Sequence, residues 1–256
     1  MGIVNVTPDS FSGDGTGTDS DAAAALAARF EAEGADIIDV GGESTRPGAL
    51  PLDPRVELER VAPAIRAIRA ATALPISVDT CHADVAGAAI NAGADMVNDI
   101  SGLHLDPRMA GTVAHAGVPL IAMHNQRGRE PGDVISCLRT GFEKSLRLAA
   151  AAGVPPDHVI LDPGFGFGWE PAQNLEMLRR LPELWHFEHP ILLGPSRKST
   201  IGLVLDAPVG DRLEGTAASV ALAIAGGADI VRVHDVRQMA RVARVADAIV
   251  RDNWRP

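Results

Sequence analysis

Cysteine is nearly absent from this chain of 256 residues. Cys81 and Cys137 are the only two, in no metal-type spacing, which excludes a disulfide framework and a cysteine-based zinc site. Long apolar runs are also missing: the stretches 22–28 and 217–225 are alanine-rich and far shorter than the roughly 20 residues that cross a bilayer. No membrane helix is expected. Basic charge is in deficit, with 23 Lys and Arg against 33 Asp and Glu and a net charge of −10. That sign is wrong for a surface that gathers phosphate backbones, so nucleic acid is not an expected partner. The N-terminus shows no basic region or long apolar stretch before a cleavage site, which points to the cytoplasm. Lysine is the scarcest charged residue: Lys144 and Lys198 stand beside 21 arginines. A lysine where arginine would serve reads as a chemical choice.

What remains is an ordinary globular composition, 46% hydrophobic and 22% charged with a mean hydropathy of +0.09, enough for one well-filled core. Short β-branched apolar runs alternate from end to end with longer Ala, Arg and Glu-rich segments of helical period. The predicted strands are 2–6, 36–41, 75–79, 95–100, 119–124, 158–162, 190–195 and 229–234. The predicted helices are 20–33, 55–71, 83–92, 106–116, 132–152, 171–181, 211–226 and 236–252. Gly-Ala-Asp followed by two apolar residues recurs at Gly34, Gly93 and Gly227, each time where a helix should end and a strand begin. These repeats lie two and four βα units apart. A single-domain (β/α)8 TIM barrel is expected over 1–256, in preference to an open doubly wound sheet.

Barrel chemistry sits at the carboxyl ends of the strands. Those ends carry Asn5 and Asp9, Asp39 and Glu43, Asp79, Asn98 and Asp99, His124, Asp162, Ser196 to Lys198, and Arg232, His234 and Asp235. Asp79, Asn98 and Asp162 can converge on a planar ligand that offers several N–H donors, such as a 2-amino-4-oxo heterocycle. A divalent metal on two aspartates is the alternative. Lys198, Arg232, His234 and Arg46 add positive charge suited to a phosphate or diphosphate, unless they serve as structural ion pairs for the rim aspartates. Asn5, with a diphosphate, can complete a Mg²⁺ site, because that ion takes few protein ligands. Two long Gly-rich connections, 7–19 and 41–54, read as lids bearing Phe11, Thr45 and Arg46. The segment 164–168, GFGFG, has the wrong spacing for a dinucleotide loop and reads as close packing or ligand approach; 194–199 is no phosphate-binding loop, since Arg197 stands where a glycine is required.

Eight segments in order, MGIVNVTPDSF (1–11), DIIDVGGESTRPG (36–48), ISVDT (76–80), NDISG (98–102), MH (123–124), DPGFGFG (162–168), SRKS (196–199) and RVHDV (232–236), resemble the dihydropteroate synthase family. The resemblance spans nearly the whole chain. It implies a homodimeric (β/α)8 transferase of folate biosynthesis that joins 6-hydroxymethyl-7,8-dihydropterin diphosphate to 4-aminobenzoate with Mg²⁺. By position it assigns Asp79, Asn98, Asp162 and Lys198 to the pterin, with Met123, Phe167 and Arg232 packing on its ring. Asn5, Arg46, Arg232 and His234 match the diphosphate and Mg²⁺ set, and Phe11, Thr45, Pro47 and Ser199 the aminobenzoate pocket. Trp169 departs from the family's usual Lys after Gly-Phe-Gly, and Gly13-Asp14 inverts its usual order. A non-catalytic pterin-binding paralogue or a methyltetrahydrofolate-dependent methyltransferase domain is the competing reading; Lys198 and segment 44–47 speak against both.

Overall fold

The computed structural model describes residues 1–7, 17, 19–44 and 52–252. Eight short strands run β1 Gly2–Asn5, β2 Ile38–Gly41, β3 Ile76–Asp79, β4 Met96–Asp99, β5 Leu120–Met123, β6 Val159–Asp162, β7 Leu192–Leu193 and β8 Ile230–Val231. The first six pair in sequence order, all parallel, and β7 pairs with β8. Parallel bridges from Leu161 to Ile191 and from Val233 to Gly2 join the two sheets. Leu161 N donates to Pro190 O at 2.9 Å and Ile3 N to Val233 O at 3.1 Å, so the ring closes as a (β/α)8 barrel.

The helices are α1 Ser20–Glu33, α2 Pro54–Ala71, α3 Ala83–Ala92, α4 Met109–Ala116, α5 Val134–Ala152, α6 Pro171–Arg179, α7 Ser199–Leu205, α8 Leu213–Ala225 and α9 Val236–Val250. Asp19, Asp53 and Asp133 cap α1, α2 and α5, each side chain accepting from an amide of the first turn. All three repeat glycines have positive φ at helix ends: +99° at Gly34, +116° at Gly93 and +96° at Gly227. The aspartate of the repeat has its own task. Asp95 Oδ2 accepts from Ile76 N at 2.8 Å and Asp229 Oδ2 from Ile191 N at 3.0 Å, stitching the strand entries together at the barrel floor.

Several element ends fall a few residues inside the expected ranges, and one helix is added. The helix expected from 106 starts at Met109, because Asp106 turns its carboxylate to Ala83 N at the head of α3, 3.0 Å away. The helix expected to reach 181 gives way after Arg179 to a 3-10 segment, Leu181–Phe187. An additional helix, α7, follows β7 at once; its sequence STIGLVL is rich in β-branched residues and hides helical character. No described helix is long and apolar enough to cross a membrane.

Residues two apart on a strand share a face. Met96, Ile121 and Leu192 cluster with Met1, Ile37, Ile160 and Ile230, separately from the main core under the helices. This inner cluster plugs the barrel. Two residues further along from Ile37, Met96, Ile121, Ile160 and Ile230 stand Asp39, Asn98, Met123, Asp162 and Arg232. The alternation that buries the plug therefore delivers the polar groups to the layer above it.

Candidate active site

Arg232 organises this layer. Its Nε donates to Asp39 Oδ2 at 2.6 Å and its second terminal nitrogen to Asp79 Oδ2 at 2.7 Å, bridging β8 to β2 and β3. Burial opposes the guanidinium charge, but the two carboxylates more than offset this and hold it protonated. Asn98, paired in register with Asp79 on the neighbouring strand, donates its amide to Asp39 Oδ2 at 3.3 Å. The remaining oxygens Asn98 Oδ1 and Asp39 Oδ1 are buried with no hydrogen-bond partner among the described residues. Burial pushes Asp79 up to about 7 despite Arg232. Arg232 thus commits Nε and one terminal nitrogen to rim aspartates. Asp39, fully buried, is a member of the site to which the sequence had assigned no role.

Asp162 faces the same interior from β6, next to Met123, its register partner on β5. Its Oδ1 accepts from Gly164 N at 2.7 Å. Burial lifts the carboxyl to about 6, although the Gly164 amide and the nearby Lys198 charge both favour the anion. The 164–168 loop is shaped by close approach, as expected. Gly164, Gly166 and Gly168 all have positive φ, and side chains there would strike His124 O, the Lys198 stem and the Arg127 backbone. Phe167 holds its ring under the Lys198 ammonium, 4.1 Å from the centroid, with the Arg127 guanidinium 4.8 Å away. Among the described residues no carboxylate forms an ion pair with Lys198. Burial, then the Arg232 charge, lowers its ammonium to about 8. Ser199 lies exposed beside it at the start of α7.

Burial, with Arg232 and Arg197 nearby, lowers the His234 imidazole to about 3, which favours its neutral form. Its backbone N donates to Ser196 Oγ at 3.2 Å and its Nδ1 lies 2.9 Å from the same oxygen. Arg197, at φ +56°, is fixed by Asp235 at 2.6 Å. His124 ends β5 one residue beyond Met123 and so faces away from the barrel axis. There it lies tilted against Trp169, centroids 5.5 Å apart, with Nε2 2.8 Å from Gln126 Oε1. Trp169 donates to Pro163 O at 3.1 Å, which makes it a brace for the glycine-rich loop.

Asn5 occupies the rim position expected of it on β1. Asp79 and Asp162, the two aspartates of the metal alternative, do not gather with a third metal-capable side chain among the described residues. The only group of metal-capable side chains gathered among the described residues is Glu43, Glu57 and His82, with ligand atoms within 4.8 Å of one another. Glu57, raised by burial, is tied to His82 at 2.8 Å, and Glu43 accepts from Leu52 N at 3.0 Å. Phe11, Thr45, Arg46 and Pro47 lie outside the described residues.

The family of pterin binding enzymes matches residues 1–234. The dihydropteroate synthase of Synechocystis is 48% identical over 263 aligned residues, spanning 100% of this chain and 90% of the relative. The dihydropteroate synthase of Clostridium difficile, solved in the presence of pteroic acid, superposes with a TM-score of 0.93 at 47% identity, covering 98% of this chain and 95% of that one. That of Xanthomonas albilineans, solved with 4-aminobenzoic acid, superposes with a TM-score of 0.91 at 42% identity over 97% and 91%. On this likeness and on the barrel-mouth geometry, the chain belongs to the pterin binding enzymes and, within them, to the dihydropteroate synthase family.

Proposed function

We propose that the chain, one pterin-binding domain over 1–256, condenses 6-hydroxymethyl-7,8-dihydropterin diphosphate with 4-aminobenzoate, giving 7,8-dihydropteroate and diphosphate. The observation that carries this reading is a buried Asp162 carboxylate on β6 together with, on β4, an Asn98 Oδ1 that has no hydrogen-bond partner among the described residues. Acceptors at these positions match the N–H edge of a 2-amino-4-oxo ring. Asp79 adds a third acceptor, Lys198 donates to ring carbonyl and nitrogen, and Met123, Phe167 and Arg232 line the ring faces.

The cations face the diphosphate. Arg232 and Arg46 pair with it, and neutral His234 serves as a hydrogen-bond partner rather than a charge. The donor set would suit Mg²⁺ only together with a phosphate, because Asn5 offers one neutral oxygen and that ion takes few protein ligands. When bound, Mg²⁺ neutralises charge on the leaving diphosphate. Electrostatic stabilisation by the rim assists its departure from the pterin methylene, and the resulting cation is delocalised into the electron-rich ring. The neutral arylamine, held by Phe11, Thr45, Pro47 and Ser199, then attacks. It needs no strong base, which agrees with the neutral His234. Diphosphate release measured with and without 4-aminobenzoate tests the reading: pterin binding without release would make the protein a binder only. Positional isotope exchange within the diphosphate in the absence of aminobenzoate is expected, and none would favour direct displacement.

The cytoplasm is the compartment we propose. A homodimer is also proposed, supported by large apolar side chains exposed on the last three helices: Leu203 and Val204 on α7, Leu222 on α8, Val245 and Ile249 on α9. Light scattering that finds a monomer at micromolar concentration would refute it.

A further inference from the structure

We propose that Asn174 is a positioning residue that seats Lys198, by holding at once the loop beneath the lysine stem and the helix that carries its backbone. This rests on the reading of Lys198 as a pterin contact. Asn174 lies on α6, 1% exposed, and among the described residues it spends every polar atom. Its Oδ1 accepts from Gly166 N at 2.7 Å. Its Nδ2 donates to Thr200 Oγ1 at 3.1 Å and to the Trp169 and Glu170 carbonyls at 3.2 Å each.

Both ends of this bridge bear on Lys198. Gly166 is the floor of the lysine stem: a Cβ there would stand 2.9 Å from Lys198 Cδ and 3.5 Å from Cγ and Cε. Thr200, buried, lies two residues after Lys198, which itself begins α7 as its N-cap. The loop descends from β6 and the lysine from β7, so one amide fixes their separation. One acceptor and two donor hydrogens suit an asparagine here. Aspartate would turn an acceptor toward two carbonyls and a hydroxyl, and alanine would take away the partner of the half-buried Gly166 N–H.

The scarcity of lysine makes the seat directly observable. With [ε-13C]lysine the protein gives two signals, exposed Lys144 and Lys198, whose ammonium faces Arg232, Asp162, Arg127 and Asp79. In Asn174→Ala, Lys198 should titrate closer to the ordinary lysine value than its native value of about 8. Affinity for a pterin without the diphosphate should fall tenfold or more, and Asn174→Ala should add nothing further in a Lys198→Ala background, as residues acting through one another require. An unmoved lysine signal in a folded variant overturns the proposal, as does an equal loss in both backgrounds. Should Asn174→Ala not fold, Thr200→Val removes the α7 acceptor alone and must move the lysine signal the same way by less; no movement again overturns it. If Lys198→Ala itself binds pterin normally, the reading of the site fails, while the lysine titration still decides whether Asn174 seats the side chain.

Discussion

Asp162→Asn should make the protein more stable and less able to bind pterin. Asp162 is 6% exposed, and burial lifts its carboxyl from 3.8 to about 6. Two pKa units correspond to about 3 kcal/mol by which the folded protein disfavours the ionised form relative to the unfolded chain. Asparagine removes that cost and keeps the Gly164 N–H bond through its own oxygen. The gain has a defined pH dependence. A carboxyl raised in the folded state contributes stability that is fully present below its unfolded value and lost as pH rises through about 6. Wild type and variant should therefore melt together near pH 4 and separate by pH 8, where about 3 kcal/mol is the ceiling and each kcal/mol shifts the melting point by about 2–4 °C. Binding moves the other way. The amide presents an N–H to a ring edge that itself donates, and losing a charge-assisted bond there costs roughly 3 kcal/mol, or about two orders of magnitude in pterin affinity. Aminobenzoate binding should suffer less. Calorimetry with a pterin lacking the diphosphate, alongside melting curves at both pH values, measures the two effects. Unchanged pterin affinity, or melting points that coincide at pH 8, would refute the placement of this carboxylate.

Lys198→Arg should keep the fold and lose tenfold or more in kcat/KM, because a planar fork cannot replace a compact ammonium above Phe167; about 1.4 kcal/mol of lost transition-state stabilisation suffices. Wild-type kinetics would remove Lys198 from the site. Pterin affinity should be bell-shaped in pH, falling below about 6 as Asp162 takes a proton and above about 8 as Lys198 loses one; a flat profile between 5 and 9, read with the diphosphate-free pterin so that phosphate ionisation does not intrude, would contradict both assignments. Trp169→Phe keeps the contact with His124 but strands Pro163 O, at a cost of about 1–2 kcal/mol. Trp169→Ala should cost about 3–5 kcal/mol, and if either variant melted like wild type, Trp169 would not be the brace of the glycine-rich loop.

The parts of the site legible in the sequence are those with a local signature. Strand alternation is one: an apolar residue in the plug and a polar one two places later identify Asp162, Asn98 and Arg232 without any knowledge of their partners. The Gly-Ala-Asp repeat is another: its glycine makes a left-handed helix end all three times, and its aspartate holds a strand entry at Asp95 and Asp229. What stayed hidden depends on meetings between distant segments. Asp39 lies 2.6 Å from a guanidinium on the far side of the chain, and nothing near it in sequence announces that pairing. His234 reads as a cation until Arg232 and Arg197 are placed beside it in a buried pocket. Asn174 reads as a polar residue within a helix, and only the approach of the 164–168 loop and α7 reveals that all its hydrogen bonds are spent on holding them together. The residues proposed to contact ligand are thus visible from one dimension, because chemistry dictates their type. Those that aim them were not, because an amide or a serine hydroxyl acquires its role from the fold alone.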